Sequence, residues 1–190
     1  MKLNLKYYNQ RKDVIDDEWK PKACLIVCVK MILDFLDNKE IPIDDLIKEG
    51  ICIGAWDGKY WKHDGVVRIL RNHGIMAYPQ EFKSVFVDIK NSEMTQSKYA
   101  DILFDKGLKK IVSSIDNECP VIVSIRLFFK KENTHHGVVI IGYEKNNDGS
   151  LKGFYYHDPE MNEVEEGKDL FVLIDDFKTG WKKLSIFVEK

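Results

Sequence analysis

Residues 23–36, Ala23-Cys24-Leu25-Ile26-Val27-Cys28-Val29-Lys30-Met31-Ile32-Leu33-Asp34-Phe35-Leu36, form an apolar stretch broken by two charges one helical turn apart. It is too long for an ordinary strand, and Lys30 and Asp34 fall on one narrow stripe. The pattern predicts a helix buried over most of its surface. Pro21, just ahead, suits a helix start. Further along, the pattern changes. Residues 120–127 (PVIVSIRL) and 136–143 (HGVVIIGY) read as strands, the second apolar on both faces and so central to a sheet. NNDG at 146–149 is a hairpin turn, residues 153–157 are the next strand, and Asp158-Pro159 ends it. Helices come first and antiparallel strands second. The expected fold class is therefore α+β, an N-terminal helical part packed on a C-terminal antiparallel sheet.

The remaining segments fit around this frame. Residues 44–48 read as a short helix ended by Gly50, and 51–64 as a loop rich in Gly and Trp. Residues 65–72 form an amphipathic helix stopped at His73-Gly74. A strand is expected near 76–78, followed by a long excursion to about residue 105; helical period returns over 108–115. Residues 173–179 read as a short helix and 183–188 as a last strand.

Composition narrows the function. With 190 residues, no internal repeat and no linker, the chain reads as one domain over 1–190. Its 29 Lys+Arg nearly cancel 31 Asp+Glu, so a net charge of -2 supplies no field to gather nucleic acid. No apolar run reaches the ~18 residues of a membrane span. The N-terminus, MKLNLKYYNQRKD, lacks the apolar stretch of a signal peptide, so the chain reads as cytoplasmic. Cys24, Cys28, Cys52 and Cys119 are too few and too unevenly spaced for a disulfide framework and read as free thiols.

Cys24 lies in the first turn of the first long helix, where unpaired backbone N–H groups and the helix dipole favour a thiolate. Cys28, one turn further in, has left that field. Read alone, a cysteine in an apolar helix is a small core residue. His136 opens the central strand, and a polar ring there needs a partner or a cleft. Asp158 follows the next strand, and pairing through the 146–149 turn brings it to the same end of the sheet as His136. Taken singly, a structural histidine and an Asp-Pro turn explain them as well. Together they give an early Cys at a helix start, a late His on a strand and an Asp on the neighbouring strand, the chain order of a papain-like triad. The reaction needs two oxyanion donors. The backbone N–H of Cys24 is one, and the side-chain amide of Gln10 is a candidate for the other. Strand alternation puts His135 and His136 on opposite faces, so only one can reach Cys24. His135 follows the polar run 130–133 and reads as loop, which favours His136.

These segments resemble the C39-like cysteine peptidases. The matching residues are Tyr8-Asn9-Gln10, Trp19, Ala23-Cys24, Met31-Ile32-Leu33-Asp34, Trp61, Gly65 and residues 120–124. The histidine strand 136–143, His157-Asp158-Pro159, Phe177 and Trp181 continue the match to the end of the chain. The resemblance implies a papain-like fold and thiol-dependent hydrolysis of a peptide or related amide in a peptide or protein substrate, without a metal or other cofactor. It carries Cys24 to the nucleophile, His136 to the base, Asp158 to the orienting acid and Gln10 to the oxyanion hole. One position departs: the family has Gly directly after the nucleophile, and here Leu25 stands there. The family's exporter-fused members trim double-glycine leaders, and that substrate is not carried over to a chain without a membrane segment.

Three rival readings remain. Cys24, Cys28, His135, His136 and His157 contain the atoms of a metal site but neither a paired Cys-x-x-Cys nor a His-Glu-x-x-His pattern. Leu25 motivates an inactive peptidase fold that binds a peptide. The same thioacyl intermediate would also serve acyl transfer to an amine or thiol. Trp56, Trp61 and His63 either line a groove or anchor a loop to the core.

Overall fold

The computed structural model describes residues 1–37, 40–88, 90, 93–130, 135–161 and 164–190. A short α1 (Gln10–Asp13) is capped by Asn9, whose side chain accepts from the N–H groups of Arg11 and Lys12. The apolar stretch is α2 (Cys24–Asp37), buried from Leu25 to Leu33. Its two charges meet: Lys30 Nζ donates to Asp34, which also accepts from the Tyr8 hydroxyl. The charged stripe therefore enters the interior as a satisfied pair, and Lys30 is itself buried.

Next come α3 (Ile43–Cys52) and α4 (His63–Asn72), both packed against α2. The loop between them is held by a cluster of indoles in edge-on and tilted contact. Trp19, Trp56 and Trp61 lie with centroids 5.2–5.6 Å apart, and Trp61 Nε1 donates to the Lys22 carbonyl at 2.8 Å. The strand expected near 76–78 is β1 (Met76–Glu81), and the excursion after it holds a separate hairpin of β2 (Val85–Asp88) with β3 (Glu93–Gln96). Helix α5 (Ala100–Asp116) begins well before residue 108, where helical period was expected. It buries Ala100, Phe104, Gly107, Ile111 and Ile115, one continuous helical stripe.

The second half supplies β4 (Val121–Ile125), β5 (His136–Lys145), β6 (Leu151–His157), a short α6 (Val164–Gly167), β7 (Leu170–Leu173), α7 (Ile174–Gly180) and β8 (Trp181–Glu189). The main sheet has six strands in the order β1-β8-β4-β5-β6-β7, every neighbour antiparallel. As its unbroken apolar run predicts, β5 is central, with β4 and β6 on either side and residues 136–142 buried. The turn from β5 to β6 passes through Gly149 at φ 83°, a conformation that favours glycine. Packing of α2 and α5 against β5 places the core between helices and sheet. Burying each large side chain of α2, such as Ile26, Met31 or Leu33, contributes roughly 1.5–3 kcal/mol. The α+β architecture expected from the sequence is the one observed; α6 and β7, between Asp158 and residue 173, were not anticipated. Among the described residues no helix is long and apolar enough to cross a membrane.

Candidate active site

The start of α2 meets the end of the sheet where β5 begins and β6 finishes. Pairing of Val139 with His157 sets the register, so His136 and Asp158 emerge side by side. His136 Nε2 lies 2.6 Å from Asp158 Oδ1, both side chains almost wholly buried. Cys24, the first residue of α2, lines the same cleft as His136 and acts on the ring electrostatically. Burial opposes charge on the His136 ring, but the Asp158 carboxylate beside it and the Cys24 sulfur outweigh that and push its pKa up to about 10. At neutral pH the ring is therefore an imidazolium held by the Asp158 carboxylate. Asp158 is itself fixed: its Oδ1 accepts from the Glu160 N–H, its own N–H donates to the Gly167 carbonyl, and its carbonyl accepts from the Tyr7 hydroxyl. Segment 164–167, absent from the sequence reading, thus helps hold this acid.

Of the four expected site residues, the structure joins His136 to Asp158 by a hydrogen bond and sets Cys24 on the same cleft as His136. Gln10 sits next to them, since its backbone N–H donates to the Pro159 carbonyl. Its side chain, however, is committed elsewhere. The amide donates to the Lys20 carbonyl at 2.8 Å and to the Glu160 carboxylate, which Arg11 also holds. Gln10 is not part of the cleft wall. Glu160 was not singled out in the sequence.

The other thiols and histidines lie apart from this contact. Cys28 is fully buried and donates to the Gly137 carbonyl, and burial pushes its pKa well up. His157 is fixed on both sides, with Nε2 against the Leu5 carbonyl and Nδ1 accepting from the Asp169 N–H. His135 points away from Asp158, with Lys182 Nζ donating to its Nδ1 at 2.8 Å.

A cleft of about 330 Å³ opens over Cys24 and His136. Trp56 and Trp61 line it, and their rings also pack edge-on and tilted against Trp19, so groove wall and loop anchor are one structure. His63, the first residue of α4, reaches it with Nε2 2.7 Å from Ser124 Oγ on β4. Burial lowers the His63 pKa and keeps the ring neutral. Leu25, the residue after Cys24, is buried against Gly137. Ser124 lies in the family-matching segment 120–124 but was not read as a site residue, and Lys59 and Tyr60 were not singled out; their place in the cleft follows from tertiary contacts.

A family model described as "Peptidase_C39 like family" matches residues 2–185. No curated protein matches the chain in sequence. Among solved structures, a C39-like peptidase from Bacillus anthracis is similar at 14% identity and TM-score 0.62, over 100% of this chain and 98% of that one. A double-glycine motif protease from an AMS/PCAT transporter, in complex with the leader peptide, is similar at 12% identity and TM-score 0.55, over 100% and 94%. The peptidase domain of Streptococcus ComA, a bifunctional ABC transporter involved in quorum sensing, is similar at 14% identity and TM-score 0.57, over 88% and 91%. At these identities the likeness is one of fold, and the fold is the papain-like one of C39 peptidase domains.

Proposed function

Since the chain belongs to the C39-like peptidase family, we propose that it is a cysteine peptidase acting on a peptide or related amide through a thioacyl intermediate on Cys24. The observation that carries the proposal is the His136 ring, bonded to the Asp158 carboxylate and sharing a cleft with Cys24 at the start of α2. In the proposed reaction the Cys24 sulfur, its proton already on His136, attacks the carbonyl carbon and forms a carbon–sulfur bond. The Cys24 backbone N–H stabilises the oxyanion, with Gln10 as second donor once its amide leaves Glu160. As the carbon–nitrogen bond breaks, His136 gives its proton to the departing amine. Water then attacks the thioester, His136 takes the water's proton and returns it to sulfur, and the acid product leaves. Asp158 holds the imidazole in the tautomer that makes these transfers possible.

The peptide ligand of the transporter protease supports a peptide substrate here by analogy of fold. One observation favours a second reading, a peptide-binding domain without turnover: the Gln10 amide is held by Glu160. A single experiment separates the two. An electrophilic peptide with a thiol-reactive end group is added, the modified cysteine is mapped, and hydrolysis of the matching amide peptide is followed. Labelling at Cys24 with hydrolysis supports the peptidase; specific labelling without hydrolysis supports the binding domain. Labelling spread evenly over the exposed thiols contradicts both. Transfer of the acyl group to an added amine in preference to water would instead identify an acyltransferase using the same residues.

A further inference from the structure

The cleft beside Cys24 is aromatic and cationic. Lys59 and His135 stand on one side of it, against the ring of Tyr60: the Lys59 ammonium lies 5.0 Å from the ring centroid, and the His135 ring centroid lies 5.1 Å away. Behind His135 stands Lys182, its ammonium on Nδ1. Lys22 also reaches the cleft but already pairs with Glu18 at 3.1 Å. Among the described residues, no Asp or Glu lines the cleft, and neither Lys59 nor Lys182 has a carboxylate partner. His135 responds to this one-sided field. Burial first, then Lys182 and Lys59, lower its pKa, so the ring stays neutral where a further positive charge would be repelled. The apolar side of the cleft is the edge of the indole cluster at Trp56 and Trp61.

We propose that this wall is a specificity subsite for a carboxylate carried next to a bulky apolar or aromatic residue of the peptide, read by Lys59 with Lys182 behind it. The subsite rests on the peptidase reading above and adds to it the substrate's chemical class. An exposed lysine on an aromatic face gains from a carboxylate that reaches it, and the indole wall rewards an apolar neighbour. The carboxylate comes either from an Asp or Glu side chain or from the free C-terminal end of a peptide. Both present the same group.

The test uses the full chain with Cys24→Ala, so that binding is read without chemistry. Four peptides are titrated by calorimetry: end-capped peptides with a central Phe-Glu or Phe-Gln, and a peptide ending in Phe with either a free carboxylate or an amide. At least one acid is expected to bind about fivefold or more tightly than its neutral counterpart, and the preference should fade at about 0.5 M NaCl. Which acid wins identifies the source of the carboxylate. Lys59→Glu, at an exposed position outside the machinery proposed above, should remove the preference or turn it toward a Phe-Lys peptide. Equal affinity for acid and amide, no binding of any of the four, or a preference untouched by Lys59→Glu overturns the subsite. Hydrolysis of the same peptides by the unaltered chain is scored separately. An acid preference in binding with no hydrolysis overturns the peptidase reading and leaves the subsite standing. Hydrolysis without acid preference does the reverse.

Discussion

Gly137 makes room for Leu25: a Cβ at residue 137 would stand 2.4 Å from Leu25 Cδ2 and 3.1 Å from its Cγ. Leu25 is 8% exposed: its side chain rests on Gly137 of β5 and lines the cleft beside Cys24. Gly137→Ala should force Leu25 off that seat and destabilise the fold by about 1–3 kcal/mol, the usual cost of overpacking. Adding Leu25→Ala should restore most of the loss. Denaturation of the two single variants and the double variant reads the coupling, expected at about 1 kcal/mol or more. Additive effects would mean that the strand absorbs the methyl without involving Leu25.

The charge on His136 sets a pH dependence. Its ring titrates near 10 in the fold against an ordinary value of 6.5. A histidine whose pKa is raised by folding adds stability that is complete below the unfolded value and is lost as pH climbs through the folded one. The protein should therefore lose stability between pH 6.5 and about 10, and His136→Ala should lack that component. Activity that depends on the imidazolium should hold across most of that range and fall only near the folded value, with an alkaline limb in kcat/KM near 10. Asp158→Asn removes the carboxylate that outweighs burial, so its limb should move down by about two pH units or more, with turnover reduced by about 10²–10⁴-fold. An alkaline limb unmoved by Asp158→Asn would assign it to another group.

Much of this architecture could be read from the sequence because its signals are local. The apolar stretch of α2, the two-faced strand β5 and the turn at Gly149 each carry their own pattern, and chain order alone pointed to Cys24, His136 and Asp158. The N-terminal half of α5 falls in the long excursion expected to about residue 105, where no clear period shows before residue 108. In the fold Gly107 is where Trp181 and Phe82 press on the helix, a Cβ there coming within 2.6 Å of Trp181. Segments α6 and β7 are four residues each, too short to show a period. Glu160 gave no signal because the groups it binds, Gln10 and Arg11, lie about 150 residues away in the chain. The cationic side of the cleft was illegible for the same reason. Lys59, His135 and Lys182 come from three distant segments, and only folding sets them beside one another.

The Lys30–Asp34 pair predicts a stability pattern of its own. Both side chains are largely out of water, at 6% and 13% exposure. Asp34→Ala leaves the Lys30 ammonium stranded and should cost about 3–5 kcal/mol. Replacing both, as Lys30→Met with Asp34→Leu, should cost far less, because no charge is left behind. Chemical denaturation checks it, and a double variant as unstable as Asp34→Ala would show that the charges themselves are required.

The thiols should separate by reactivity. Cys28 and Cys119 are buried, and burial raises the pKa of both. Cys52 is exposed, and only Cys24 has an imidazolium beside it. At mildly acidic pH, limiting iodoacetamide should modify Cys24 ahead of Cys52 and leave the other two untouched. His136→Ala should abolish that lead, whereas His135→Ala should change it little, since His135 bonds Lys182 and not Asp158. Mass mapping of the alkylated peptides decides it, and a lead abolished by His135→Ala alone would reverse the assignment of the two histidines.

Gln10 and Glu160 together test how the oxyanion is stabilised. The Gln10 amide is buried and spends its donors on the Lys20 carbonyl and the Glu160 carboxylate, so neither is free for a substrate oxygen. If Gln10 supplies the second oxyanion donor, Gln10→Ala should lower turnover by about 10²–10³-fold while leaving alkylation of Cys24 intact, because alkylation develops no oxyanion. Glu160→Ala removes the competing acceptor. It should raise turnover several-fold with no change in alkylation, and Arg11, partly exposed, can turn to solvent at little cost. The decisive comparison is the double variant. Gln10→Ala with Glu160→Ala should fall to the level of Gln10→Ala alone, because the benefit of removing Glu160 passes entirely through the amide it releases. A gain that survives in the double variant would mean that Glu160 acts on Asp158, whose carboxylate already accepts its backbone N–H, and that Gln10 is a structural residue fixing α1 to the end of β6.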